Sequence, residues 1–410
     1  MQYYHEADST SARMSSICPQ YTIFSEEPSY NAYPATYPTG KQVVDEMNNG
    51  YGFFSWHSHG SPEGVSVKVN GDHRDTTYGV ASLQGQIKYM VAEEGNGFNN
   101  LNNVDFPAIA YSMSCSTMPY DIYIENGHTY DLKYNVGESF TVGGLYGGPA
   151  YLGNTRFGWY GGLNYSVALE FGFIKCLKDG NYNIGIAEAN SKTPAVTPGL
   201  GNGHWIRLTH NLIGCPEFEM WTSNPTNYSA GTIAVNRTDN SIKVSGRGVG
   251  SSKIAISPLN GIPDMKLATS TSGVIFNDVS PNSTITLYRH NRIPYIFPLY
   301  LQNEVQQCSR YVHAGKVFIG KNVDASRTEG NYTVVNGINL TIEATDDVDI
   351  NQGFIVQPEA IVTLKSKGKV VVSGSEIETK GALIINSGAT EIKKNFILEK
   401  GSLLSISKDK

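Results

Sequence analysis

Along the first half of the chain, apolar residues gather in short continuous runs closed off by Gly, Pro and Asn. Residues 51–56 form one such run and residues 106–111 another. Runs of this length, bounded by turn residues, are the pattern of parallel strands buried on both faces. Residues 41–49 predict a short helix in which Val43, Val44 and Met47 share a face and Asn-Gly ends the element. Residues 80–94 predict a second helix, with Ile87, Met90 and Val91 as its apolar stripe. Strand, helix, strand is the crossover unit of a parallel sheet. Residues 142–152 predict a further strand, and residues 163–177 and 184–191 further helices. Residues 1–40 and 116–134 read mainly as loop.

The pattern changes near residue 223. Short alternating runs at 232–235, 241–244, 253–256 and 284–288 are separated by turn residues at the intervals of a β-sandwich. Residues 223–303 are enough for one immunoglobulin-like domain. From residue 304 the runs become shorter and closer, at 337–342, 353–356, 360–364, 369–372, 381–385 and 401–406. Tiny strands divided by Gly, Asn and Ser predict a stacked, β-solenoid-like module over 304–410. Binding or attachment and a plain structural spacer are both open for its role.

Composition narrows the classes. A formal charge of −6 with no Lys/Arg cluster argues against nucleic acid as a partner. Only 17% of residues are charged while Gly and Tyr abound, a mix that suits a β-rich extracellular protein. The 5 cysteines are scattered and odd in number, with no metal-ligand spacing and no dense disulfide framework. No apolar run reaches membrane-spanning length. Asp121, Glu125 and Asp131 leave a structural calcium open, but EF-hand spacing is absent and solvated loop acids is the plainer reading.

Two of the strand runs end in reactive side chains. One hands over to His59-Gly60 and the other to Ser114-Cys115. In open α/β sheets the chemistry gathers at the carboxyl ends of the strands. A thiol is mostly protonated at neutral pH, and an adjacent imidazole can take its proton and return it to a leaving amine. Gly60 leaves room for a substrate backbone, and the N–H groups of Gly60 and Cys115 can form an oxyanion hole. On spacing alone Cys115 can equally be a small buried hydrophobe, and His59 a satisfied loop histidine. The Gly-rich aromatic loop 156–162 offers Trp159 as a wall for a substrate side chain, or as packing.

Four segments together resemble the gingipain family of bacterial cysteine peptidases, within the clan that holds caspases and legumains. They are Phe54-Ser55-Trp56-His57-Ser58-His59-Gly60-Ser61, Tyr111-Ser112-Met113-Ser114-Cys115, the glycine-rich strand and loop at 147–156, and Asn211-Leu212-Ile213-Gly214-Cys215-Pro216. The resemblance implies a caspase-like parallel-sheet catalytic domain over 1–222, with Cys115 as nucleophile and His59 as general base and acid. It implies a secreted or cell-surface bacterial endopeptidase, acting on proteins or peptides without a required cofactor. Because the family carries more chain before its His-Gly motif, it also implies an N-terminally incomplete domain that an upstream chain or segment completes. Two positions depart from the family pattern. His57 precedes His59 by two residues, which on a strand puts both on one face. Cys215 stands where relatives commonly carry Asp, and reads as a partly buried thiol. An inactive or truncated homologue with a surface-binding or structural role is the alternative. A carbohydrate-binding protein built on residues 223–410 is a third.

Overall fold

The computed structural model describes residues 10, 12–18, 40–68, 80–84, 95–103, 106–121, 123–125, 127–130, 133–143, 146–159, 164–193 and 202–408. The chain divides into two compact units, residues 1–224 and 225–410.

In the first unit, α1 (Gly40–Met47) buries Val44 and Met47, and Gly50 at φ +87 turns the chain out of the helix. It leads into β1 (Phe53–Trp56). An antiparallel ribbon follows, made of β2 (His59–Ser61), β3 (Gly64–Lys68) and β4 (Val80–Gln84). Then come β5 (Ile109–Ser112), a small hairpin of β6 (Tyr123–Glu125) and β7 (His128–Tyr130), and β8 (Ala150–Asn154). Helices α2 (Ser166–Lys178), α3 (Ile184–Ser191) and α4 (Asn202–Thr209) precede β9 (His210–Gly214).

β1, β5 and β8 lie side by side and parallel, with Trp56 level with Ser112 and Tyr111 level with Leu152; β9 closes the sheet antiparallel. Every residue of β5 and β8 is buried, which is why the run at 106–111, leading through β5, reads as apolar throughout. Alternation sends Ile109, Tyr111 and Leu152 to one face, against Phe173 and Leu177 of α2 and Ile184 of α3. Ala108, Ala110 and Tyr151 go to the other, against Val44, Met47, Phe98 and Phe140. Full burial of each large apolar side chain contributes roughly 1.5–3 kcal/mol. Both faces being covered, the arrangement is a three-layer α/β domain.

Two predicted elements differ. Residues 80–84 form β4, not the start of a helix, because the alternating Val80, Ser82 and Gln84 pair with the hairpin strand β3; residues 85–94, with the predicted stripe, lie outside the described residues. Residues 142–143 and 146–149 are not strand. Asn135 and Glu138 form a capping box that starts a helical turn at 136–138, continued as a wider turn over Ser139–Gly143, so the strand begins only at Ala150.

In the second unit, the alternating segments coincide with β10 (Ile233–Thr238), β11 (Ser241–Gly246), β12 (Ser252–Pro258) and β15 (Ser283–Tyr288). Three strands that the alternation did not single out join them: β13 (Asp264–Ala268), β14 (Val274–Asn277) and β16 (Tyr295–Ile296). They form one sheet in the order β10-β11-β14 and another in the order β13-β12-β15-β16, all antiparallel. Ile242, Val244 and Phe276 of the first share a core with Ile254, Ile256, Ile285 and Leu287 of the second. Beyond them the strands become parallel and stack in register, with Leu340, Val362, Leu383 and Leu404 as successive partners along one ladder. A second ladder runs through Tyr332 and Phe354, whose rings stack 6.5 Å apart.

Candidate active site

The parallel pairing of β1 with β5 brings the two reactive strand ends together. One step past the strands, the Met113 N–H donates to the Trp56 carbonyl at 3.2 Å. Next to it the Ser58 and Ser114 hydroxyls lie 2.8 Å apart. Gly60 then packs so closely on the turn after β5 that an added Cβ would stand 2.6 Å from both the Cys115 carbonyl oxygen and the Ser114 Cβ. His59-Gly60 and Ser114-Cys115 are therefore neighbours. His59 is exposed at the head of β2, and Cys115 is half-buried.

The turn that carries Cys115 is held from behind. Ser116, fully buried, adopts φ +50, a region that L residues enter only when their surroundings demand it. Its N–H donates to the Arg156 carbonyl at 2.8 Å, and the Met118 N–H to the Asn154 carbonyl at 3.2 Å. The Asn154 side chain, buried at the end of β8, donates to the Met113 and Ser114 carbonyls at 3.2 and 3.0 Å. Arg156 is fixed in turn by a two-pronged pair with Asp121, at 3.0 and 2.8 Å. Asn154 lies in a recognisable motif, but nothing in its spacing marked it as the support of this turn.

The loop after β8 comes back beside the thiol. Cys115 Sγ lies 3.6 Å from the Gly158 carbonyl oxygen. Trp159 is anchored by its backbone, its N–H donating to Ser166 Oγ at 3.1 Å while the Ser166 N–H donates to the Trp159 carbonyl at 3.2 Å. Its indole is left 40% exposed, beside a half-open Phe157. Trp205 on α4, which the sequence reading did not select, joins this rim by donating its indole N–H to the Phe157 carbonyl at 3.1 Å.

His57 goes elsewhere. The chain leaves the strand conformation at His57-Ser58 before β2 begins, so the two histidines do not share a strand face as period-two geometry predicts. His57 Nε2 lies 2.9 Å from Oε2 of Glu170, a carboxylate in the apolar stripe of α2 with no exposed surface. Thr10 donates to the same oxygen at 2.7 Å, and Ser55 donates to the other. Burial by itself would raise the Glu170 pKa; the charge and hydrogen bond of His57, with those of Ser55 and Thr10, outweigh it and hold the pKa below its ordinary value. A second buried pair, Glu188 with His210 at 2.9 Å, lies at the start of β9, where Lys192 adds a contact at 3.1 Å. The His210 ring sits 4.8 Å from that of Tyr111, whose hydroxyl burial and both carboxylates push well above its ordinary pKa.

Cys215 is exposed, with Sγ 3.7 Å from a Glu217 carboxylate oxygen, and not the partly buried thiol that was expected. Among the described residues no three His, Cys, Asp or Glu side chains gather as metal ligands. Asp121 is committed to Arg156, and Asp131 lies outside the described residues.

Set against known proteins, the model of peptidase family C25 matches residues 2–221. That is more than half of the chain, and the chain belongs to this family, the gingipain family of cysteine peptidases. Among solved structures it is similar to the Arg-specific cysteine proteinase gingipain R (RGPB), at 13% identity and a TM-score of 0.49 over 71% of this chain and 61% of that one. A second structure, described only as a protease, is similar at 17% identity and a TM-score of 0.41, over 65% of this chain and 56% of that one. The chain thus spans less than two thirds of either. No curated protein sequence matches it.

Proposed function

We propose that this chain is a cysteine endopeptidase in which Cys115 attacks the peptide carbonyl and His59 takes the thiol proton and delivers it to the leaving amine. The acyl-enzyme is then hydrolysed by water, which His59 deprotonates as it attacks. The N–H groups of Gly60 and Cys115 stabilise the oxyanion, and Trp159 walls the pocket for a substrate side chain. The observation that carries this reading is the contact of the Gly60 backbone with Ser114 and Cys115, which sets the histidine segment against the thiol segment across parallel strand ends. The engagement of His57 with Glu170 supports His59 as the base, because His57 Nε2 is already taken. No cofactor enters the reaction as written.

The family implies a secreted or cell-surface bacterial protein, with the catalytic domain over 1–222. The paired antiparallel sheets at 223–303 are read as an immunoglobulin-like sandwich. The stacked parallel ladders at 304–410 are read as a β-solenoid-like module. The first is read as packing or positioning; for the second, binding or attachment and a plain structural spacer both stay open.

The test is labelling with an acyloxymethyl-ketone peptide probe on the wild type and on His59→Ala, with the modified cysteine mapped. Selective labelling of Cys115 that is lost in His59→Ala is the expected result. Cys18 is a poor competitor, because burial pushes its thiol up to about 11. Labelling of Cys115 no faster than Cys308, or unchanged without His59, would leave the alternative of an inactive homologue with a surface-binding role.

A further inference from the structure

The parallel ladder that aligns β1 with β5 ends where the Met113 N–H meets the Trp56 carbonyl, before either reactive residue. His59 and Cys115 lie beyond it, where the bonds between β1 and β5 no longer set their separation. The Gly60 contact limits how near the two segments come, but a contact of this kind does not hold them there. A side-chain bond takes over. Ser58 and Ser114, the residues immediately before His59 and Cys115, bring their hydroxyls to 2.8 Å.

The bond has a direction. The Ser58 hydroxyl donates to the His59 carbonyl at 3.1 Å. A hydroxyl carries one proton, so with that proton committed Ser58 accepts and Ser114 donates. The donor is firmly held. Ser114 is fully buried, its N–H donates to Ser112 Oγ at 3.3 Å, and its carbonyl accepts from the Asn154 amide at 3.0 Å. Residues at the ends of β5 and β8 thus fix the Ser114 backbone on both sides. Its hydroxyl carries that placement through Ser58 to the main chain of His59.

We infer that Ser58 and Ser114 are positioning residues of the dyad, whose bond keeps the His59 imidazole within reach of the Cys115 thiol. They act through the residues that follow them, and the inference rests on the peptidase reading. Displacing a reacting group by about 1 Å costs on the order of 100-fold in rate. Removing one hydroxyl bond while the Gly60 contact stays should cost about tenfold.

The test uses the full chain and the rate at which iodoacetamide alkylates Cys115, mapped by mass spectrometry. At about pH 6 an unassisted thiol is almost wholly protonated, so labelling there reads the help of His59; at about pH 9 a thiol ionises unaided. Ser58→Ala and Ser114→Ala are each expected to label about tenfold slower than wild type at the lower pH and equally fast at the higher. The double variant loses no more than either single one, because the same bond is removed in each case. Ser58→Thr, which keeps the hydroxyl, restores the wild-type rate. In the His59→Ala background, Ser114→Ala changes nothing. A general disturbance of the fold would instead alter labelling at both pH values alike. Alanine variants that label like wild type at the lower pH, lose equally at both, or add their losses overturn the inference while the peptidase reading stands. A wild-type Cys115 that labels no faster than in His59→Ala at the lower pH overturns the peptidase reading, and this inference with it.

Discussion

Glu170 Oε2 stands 2.9 Å from His57 Nε2, in a pocket where the carboxylate has no exposed surface. This pair joins helix α2 to the end of β1, two residues before His59, and Thr10 and Ser55 complete its hydrogen bonding. Replacing Glu170 by Ala strands an imidazole and two hydroxyls in the interior, and breaking such a buried pair costs about 3–5 kcal/mol. Glu170→Gln, which keeps the shape and one acceptor, should cost clearly less. All 4 tryptophans, Trp56, Trp159, Trp205 and Trp221, lie in the first unit, so selectively excited tryptophan fluorescence in a denaturant titration reads this unit alone. Equal stability of Glu170→Ala and wild type in that titration would refute the structural weight given to the pair.

Gly60→Ala tests the closeness of the two reactive segments. The added Cβ meets the Cys115 carbonyl and Ser114 at 2.6 Å, so one segment must move away from the other. A displacement of about 1 Å at a reacting group costs on the order of 100-fold in rate. The expectation is a loss of that order in kcat/KM on a peptide substrate, with the fluorescence-monitored stability changed far less. Gly231→Ala, where a Cβ meets nothing within 4 Å, is the control and should be silent.

Ser116 tests the strain in the turn. At φ +50 an L residue pays about 1–2 kcal/mol that glycine does not. Ser116→Gly should therefore leave stability equal or raised, while Ser116→Val, β-branched and buried, should lower it and slow probe labelling of Cys115. The order Gly, Ser, Val in denaturation midpoint is the readout, and a reversed order would contradict the assigned backbone.

The acid limb of the stability profile should carry the signature of Glu188. Burial alone would raise its pKa, but the charge and hydrogen bonds of His210 and Lys192 bring it down to about 2, from an ordinary 4.5. A carboxylate depressed in the folded state adds stability that is fully present above its unfolded pKa. That stability is lost as pH falls from about 4.5 toward 2. The amount is on the order of 3 kcal/mol. Glu188→Gln should flatten this part of the profile, measured by denaturation of the first unit across that pH range.

The sequence by itself determined the strands whose burial is complete. β5, and β8 up to its last residue Asn154, are covered on both faces, so those positions are apolar or small, and such a run is visible without knowing its neighbours. It also singled out His59 and Cys115 as residues just past two strand runs, because abrupt handover from an apolar run to a polar turn is a local pattern. The alternation at 241–244 and 253–256 was legible for the same reason, each strand having one inner face. Tertiary structure alone decided the rest. Val80–Gln84 became a strand because β3 offers it a ladder, and a partner distant in sequence leaves no trace in local periodicity. The opposite fates of His57 and His59 depend on a carboxylate 113 residues away and on a break in the strand between them. The support of Cys115 by Asn154, and the approach of Trp205 to the loop at Phe157, likewise rest on segments that only the parallel order of β1, β5 and β8 assembles. Local patterning records which side of an element is buried; it does not record what buries it.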